Sequence, residues 1–337
     1  MAKTLGRQQV DGIGLQSARG SGTTADYYLH RTGEFNDNRQ VEHANDESAL
    51  GVSAATSGVI KTKQHAEPSA NYYVDIASFG LLEYVNADSY SVSANADGSG
   101  NVYDHTFKVG TATSQNEKFL SINVDDGNGI GDRDLDDALI NTLTLNMDMN
   151  SRVNFDVDYI SKFPASGSNT GSFTTPSHFV GRMITIQIAD AVSNLSGSTD
   201  VVSATFERTN NVEAGDSAFK LGSADIADHH YGERAANLTL VRNLNDSTYV
   251  DFEENATTRA VKISVTDTGT TIGTAENPSI AYIFPKCSIK VALSGDNGAI
   301  RQEELQITPH YGEDDDESAS YLYKTLITNL VADYSAV

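Results

Sequence analysis

Apolar and polar positions alternate with a period of two through residues 138–162. Leu143, Leu145, Met147 and Met149 alternate with Thr144, Asn146 and Asp148; after Asn150-Ser151, Val153, Phe155, Val157 and Tyr159 alternate with Asn154, Asp156 and Asp158. Successive side chains of a strand point to opposite faces, so the pattern predicts two strands. The short Asn-Ser connection makes them an antiparallel hairpin. One face is apolar. The other is polar and carries acids without bases, so the hairpin buries one side and shows a wet, negative face.

Shorter runs predict strands at 58–64, 102–109, 118–124, 182–188, 201–208, 235–241, 248–253, 260–266, 280–284, 286–293 and 303–308. Ile76, Phe79, Leu82 and Val85 recur every three residues and predict an amphipathic helix over 75–84, interrupted or closely packed at Gly80. Leu322, Leu326, Ile327 and Leu330 give 321–333 a helix-like spacing, and 46–51 reads as a short helical turn. Residues 1–57 have no sustained period and read as an extended arm or long loop. A Ser/Gly/Thr-rich break at 165–176 marks a boundary. The expected organisation is an arm (1–57), a first β unit (58–164), a connecting segment (165–200) and a second β unit (201–337). A short internal repeat supports two units: 141–145 parallels 236–240, and 153–155 parallels 250–252.

Composition narrows the function. With 337 residues and 39% hydrophobic content, the chain has material for a real core. Lys and Arg number 23 against 46 Asp and Glu, a net charge of −23, and the bases are scattered. Tight nucleic-acid binding needs clustered bases to neutralise phosphates, so it is disfavoured. Such acidity keeps a surface soluble, prevents sticking to DNA, or suits a salty habitat. The first residues, MAKTLGRQQVDGIG, show no apolar signal core, and no apolar run approaches the roughly 20 residues of a membrane helix. A soluble protein made in the cytoplasm is expected.

Candidate chemistry is sparse. Residues 125–134, DDGNGIGDRD, have the acids of a calcium loop but neither its spacing nor its late Glu. They read as a solvated hairpin tip. His229-His230 lacks a third ligand at zinc-like spacing and reads as surface or interface. Cys287, the single cysteine, alternates with Ile289, Val291 and Leu293 and reads as a buried thiol. There is no nucleophile elbow and no phosphate-binding glycine loop. No catalytic residue, metal or cofactor is expected.

In order along the chain, DHTFKV (104–109), KFLSINVDDG (118–127) and ALINTLTLNMDMNSRVNFDVDYISKFP (138–164) resemble the tail tube proteins of long-tailed, siphovirus-type DNA viruses. A later series agrees: the strand at 204–208, a Leu-Thr-Leu strand, Tyr249-Val250-Asp251-Phe252, Ile283-Phe284-Pro285 and 300–309. The resemblance covers residues 58–329. It implies a mainly β tail-tube sandwich or barrel with one or two flanking helices. It also implies rings of six tube units that stack into a virion tail tube conducting the genome. Two tube-like halves would make the ring a pseudo-six-fold trimer; a single enlarged unit would make it a hexamer. Other tail proteins (tape measure, terminator, tip) are the further partners, and DNA passes without specific binding. On this reading Asp148, Asp156, Asp158, Asp251 and Glu253 line the bore. Asp125, Asp126, Asn128, Asp132 and Asp134, with the N-terminal arm, make ring-to-ring contacts. Two alternatives compete: a carbohydrate- or cell-surface-binding β-sandwich of a tail tip, and a β-sandwich hydrolase. A binding module needs exposed aromatics, and a hydrolase needs a convergent acid pair.

Overall fold

The computed structural model describes residues 9–46, 58–96, 100–111, 117–127, 131–172, 178–297 and 300–336, with the backbone alone at 293–297. From Val10 the described residues form strands where an arm is expected. β1 (Val10–Leu15) and β2 (Tyr27–Arg31) pair with each other, and β1 is largely buried. The sequence Val-Asp-Gly-Ile-Gly-Leu hides this strand because two positions are glycine. A Cβ at Gly12 would lie 2.4 Å from Ala25 Cβ, and one at Gly14 2.3 Å from the Thr24 carbonyl oxygen. Close approach of neighbouring atoms, a side chain at Gly12 and backbone at Gly14, is invisible as hydrophobic period and fixes those residues. Arg19 then pins the stretch between β1 and β2 to the body, donating to the Ala227 carbonyl at 2.8 Å and to Asp228 at 2.9 Å.

β3 (Arg39–Asp46) and β4 (Gly58–Ala66) pair with each other as a two-stranded ribbon, and among the described strands with no other. Asp46 belongs to β3; the rest of the helical turn expected over 46–51 lies outside the described residues. β5 (Ser69–Tyr73) leads into α1 (Ile76–Asn86). Asp75 caps α1 by accepting the Ser78 N–H at 3.3 Å. The helix is buried on nearly all sides rather than amphipathic, because strands surround it. The helix is not interrupted at Gly80, which is closely packed instead: a Cβ there would lie 2.0 Å from Tyr334 Oη.

β6 (Ser89–Ala94), β7 (Tyr103–Val109) and β8 (Leu120–Asp125) precede the long strand β9 (Arg133–Asp148), which turns back into β10 (Asn154–Ile160). The hairpin register matches the alternation, with Leu145 opposite Phe155 and Leu143 opposite Val157. The pairings β1–β2, β2–β5, β5–β10, β10–β9, β9–β8 and β8–β1 close a six-stranded barrel. The short β11 (Ala165–Ser166) pairs with the start of β9.

β12 (Ile184–Ala189), β13 (Ser203–Thr209) and β14 (Ala235–Asn243) follow, and β9, β13 and β14 lie side by side. Thr248–Glu254 forms a helix, α2, not the strand expected over 248–253. Tyr249 and Phe252, three apart, share one side of it and meet edge-on at 5.7 Å. Arg242 and Arg259 cover their rings at 4.3 and 3.9 Å. The repeat is therefore unequal: β9 is followed by a strand, β14 by a helix.

β15 (Arg259–Thr266) pairs with β12 and with β16 (Ser279–Asn297). β16 joins the two strands expected over 280–293. Its register shifts between Arg259 and Val261 of the partner, around Pro285. The shift changes the inward set from Ile280, Tyr282 and Phe284 to Cys287 and Ile289. Cys287 is the buried thiol expected, and burial pushes its pKa up. β17 (Ile300–His310) pairs with β14 and β16. β18 (Gly312–Asp314) and β19 (Ala319–Tyr321) form a small hairpin.

The last element, β20 (Tyr323–Asn329), is a strand where helix-like spacing is expected over 321–333. Its inward set is Tyr323, Thr325, Ile327 and Asn329, a period of two with two polar members. Those polar members are satisfied in the core: Thr325 donates to Glu83 at 3.1 Å, and Asn329 donates to Tyr334 Oη at 2.7 Å. An apolar-only pattern could not show them. One main core unites the barrel, α1 and the later strands.

Candidate functional site

Six strands, in the order β10-β9-β13-β14-β17-β16, present one polar face. The register places its residues in rows. Asp156 lies opposite Thr144, which lies opposite Glu207, which lies opposite Asn237. Asn154 heads a second row through Asn146, Thr205, Thr239 and Gln306 to Lys290. Asp158 faces Thr142, and Asp148 faces Ser203. On the opposite side of the same strands, Leu143, Leu145, Phe155, Phe206, Leu238 and Leu305 are buried. The strict alternation of each strand, in one register, produces both faces at once.

The acids of this face are Asp148, Asp156, Asp158, Glu207 and Glu304. Asp156 accepts from Asn71 and, at 2.8 Å, from Asn146. Asp158 is exposed, yet desolvation and the charge of Asp156 raise its pKa. Asp148 accepts the Asn150 N–H at 2.8 Å and shapes the hairpin turn. Bases occur as well, toward the far side: Lys290 and Lys286 on β16. The face is acidic at β10–β13 and mixed at β16. Glu207 and Glu304 belong to it but escape a reading centred on the first hairpin; the alternation of 203–209 and 303–308 carried the signal.

Asp251 and Glu253 do not stand on a polar strand face, since their segment is helical. α2 lies beside β16, where Glu253 Oε2 accepts the Val291 N–H at 2.8 Å. Beyond Cys287, where β15 ends, that edge of β16 carries no strand among the described residues.

The loop acids are held within the chain. Asp125, Asp126 and Asp132 bring carboxylate oxygens within 4.8 Å of one another. Asp125 accepts the N–H groups of Gly127 and Gly171 at 2.7 Å each. Asp126 accepts that of Gly131 at 2.6 Å, and Asp132 those of Asp126 and Asn169 at 3.0 and 3.1 Å. Asp134 accepts from Asn123 at 2.8 Å and Asn169 at 3.0 Å. These bonds shape the loop. Asn128 lies outside the described residues. His229, expected at a surface or interface, is buried within the chain: its Nε2 donates to the Asp137 carbonyl at 2.6 Å, and its ring meets Phe119 edge-on. His230 is exposed.

A family model described as phage tail tube protein matches residues 16–308. The chain belongs to that family. It is a structural component of the virion tail, and its mainly β fold agrees with the tail tube fold. No curated protein gives a significant match. No described helix of this tail tube protein is long and apolar enough to cross a membrane.

Proposed function

We propose that this tail tube protein self-assembles into stacked rings whose bore is lined by the six-stranded polar face, forming an acidic conduit for genome delivery from capsid to host cell. The supporting observation is the continuity of that face: five acids and rows of Thr, Asn and Gln span six strands backed by one apolar core. Like charge repels the DNA backbone within a Debye length of roughly 8 Å, so the genome slides without adhering. Asp148, Asp156 and Asp158 line the bore with Glu207 and Glu304. Asp251 and Glu253 stand at its margin on α2, beside the open β16 edge where a neighbouring subunit joins. The sheet order is symmetric about the β13–β14 pair, with β9 and β10 on one side and β17 and β16 on the other. This order favours three chains per ring with pseudo-six-fold symmetry over a hexamer. Asp125, Asp126, Asp132 and Asp134 flank Arg133, whose ion pair with Asp37 at 3.4 Å brings this loop near the start of the ribbon, and serve ring-to-ring contacts. Tape measure, terminator and tip proteins are the remaining partners, and assembly takes place in the host cytoplasm.

Electron microscopy of concentrated protein tests this. Hollow rings or tubes with countable symmetry are expected. Monomers persisting at high concentration, in both low and high salt, would overturn it.

A further inference from the structure

Lys324 on β20 and Asp314 on β18 form a buried pair that the tube reading does not use. Lys324 Nζ stands 2.9 Å from Asp314 Oδ2, with side-chain exposures of 3% and 0%. Among the described residues, no other lysine–carboxylate pair has both partners so deeply buried. Glu83, Asp88 and Glu303 are buried too, but each faces an arginine. A guanidinium keeps its proton, whereas a lysine can give one up and become a nucleophile.

The groups around the pair are those that amide formation needs. Glu317 Oε1 lies 2.6 Å from the same Nζ, and its other oxygen is tied to Lys108 at 2.7 Å. The buried Tyr321 donates its hydroxyl to Asp314 Oδ2, and the Asp316 N–H donates to Oδ1 at 3.0 Å. The partners are fixed from both sides. β20 holds Lys324 opposite Lys108 and Ile283, and Asp315 accepts the Val192 N–H at 2.8 Å. Nucleophile, proton acceptor, proton donor and oxyanion partner are thus in place before any reaction.

We propose that Lys324 and Asp314 join after folding through an amide between Nζ and Cγ, an internal isopeptide bond. Glu317 takes a proton from the Lys324 ammonium, and the free amine attacks Cγ. The charge that develops on Oδ1 meets the Asp316 N–H. Tyr321 passes its proton to Oδ2 and regains one from Lys324 by way of Glu317, and the bond from Cγ to Oδ2 breaks. Two of the three ammonium protons leave with Oδ2 as water, and the third stays on the amide nitrogen. No oxidant, cofactor or further reactant is consumed. A buried ion pair, costly to desolvate, becomes a neutral amide. Burial pushes both carboxyls up, but Tyr321, Lys324 and the Asp316 N–H outweigh it at Asp314, and Lys108 and Lys324 outweigh it at Glu317, so both stay below their ordinary range. The ion pair is therefore the starting state, and the bond forms slowly. It stitches the β18–β19 hairpin permanently to β20.

Peptide mass spectrometry of the full chain, incubated after folding, tests this. The tryptic fragment 302–337 is expected to stay uncut at Lys324 and to be lighter than its sequence by one water. Cleavage after Glu317 should leave the two halves joined, which a dehydrated aspartate within one segment would not do. Lys324→Arg keeps the charge and is expected to restore the full mass. Glu317→Gln is expected to leave most chains unjoined over the same interval. Folded wild type at full mass and cut at Lys324 would overturn the proposal, as would water loss that persists in Lys324→Arg. Glu317→Gln joining at the wild-type rate would overturn the role given to Glu317. None of these readouts depends on rings or tubes, so the tube reading stands or falls separately.

Discussion

Arg208 Nη1 stands 2.6 Å from Glu83 Oε1 in the middle of the core, and both side chains are within 1% of complete burial. Glu83 Oε1 also accepts from Tyr282 at 2.8 Å. Glu83 projects from α1, Arg208 from β13, Tyr282 from β16 and Thr325 from β20. One carboxylate therefore ties the central helix to three strands. Removing one partner of a buried pair leaves an uncompensated charge, at a cost of about 3–5 kcal/mol. Glu83→Ala should lower urea-unfolding stability by that order. Glu83→Ala with Arg208→Met should recover a large part of it, because no orphan charge remains. A double variant no more stable than the single one would contradict this account.

Gly80 lies in the interior of α1, where Gly→Ala ordinarily stabilises by about 1 kcal/mol. Here the new Cβ would meet Tyr334, which is fully buried and whose hydroxyl donates to the Ala77 carbonyl at 2.9 Å. Overpacking of this kind costs about 1–3 kcal/mol. Gly80→Ala should lower the thermal midpoint and loosen the C-terminal segment, read as faster amide exchange at residues 331–336. A stabilised variant would show that Tyr334 yields without cost.

Two buried groups bend the pH dependence of stability in opposite directions. Burial raises the Asp11 carboxyl to about 6, against the pull of Arg31 and the Tyr72 hydroxyl. The folded state then binds the extra proton, so Asp11 contributes stability at low pH that is lost as pH rises from about 4 to 6, about 3 kcal/mol in all. Asp11→Asn should gain on wild type in thermal midpoint between pH 4.5 and 7.5. Burial lowers His229 to about 4. Its neutral ring contributes stability at neutral pH that is lost as pH falls from about 6.5 toward 4. His229→Gln should gain on wild type as pH falls over the same interval. Midpoint differences that do not change with pH would show that neither group titrates as its burial dictates.

Asp156 and Asp158 test the bore. Changing both to Lys reverses four units of charge per chain on an exposed or half-buried face, with little effect on the fold expected. Rings should still form, and genome ejection from intact particles should slow as DNA is attracted to the wall. Ejection at the wild-type rate would place these residues away from the genome's path.

The alternation in 138–162 determined the hairpin, its register and its two unlike faces, because a period of two leaves a strand no other way to bury its apolar side. The helix at 76–86 and the burial of Cys287 were legible in the same local way. The order of the tail-tube segments was legible as well. Tertiary structure alone decided the rest. β1 is a strand because it pairs with β2 and β8, and its two glycines answer to neighbours that leave no room for a Cβ. Residues 248–254 are a helix because Tyr249 and Phe252 find cover from Arg242 and Arg259 on one side. β20 is a strand because Thr325 and Asn329 find polar partners inside the core, a fact no hydrophobic count contains. The polar face arises only when six separate strands fall into one register. Local pattern specifies which side of an element is buried; which elements share that burial depends on contacts between residues far apart in the chain.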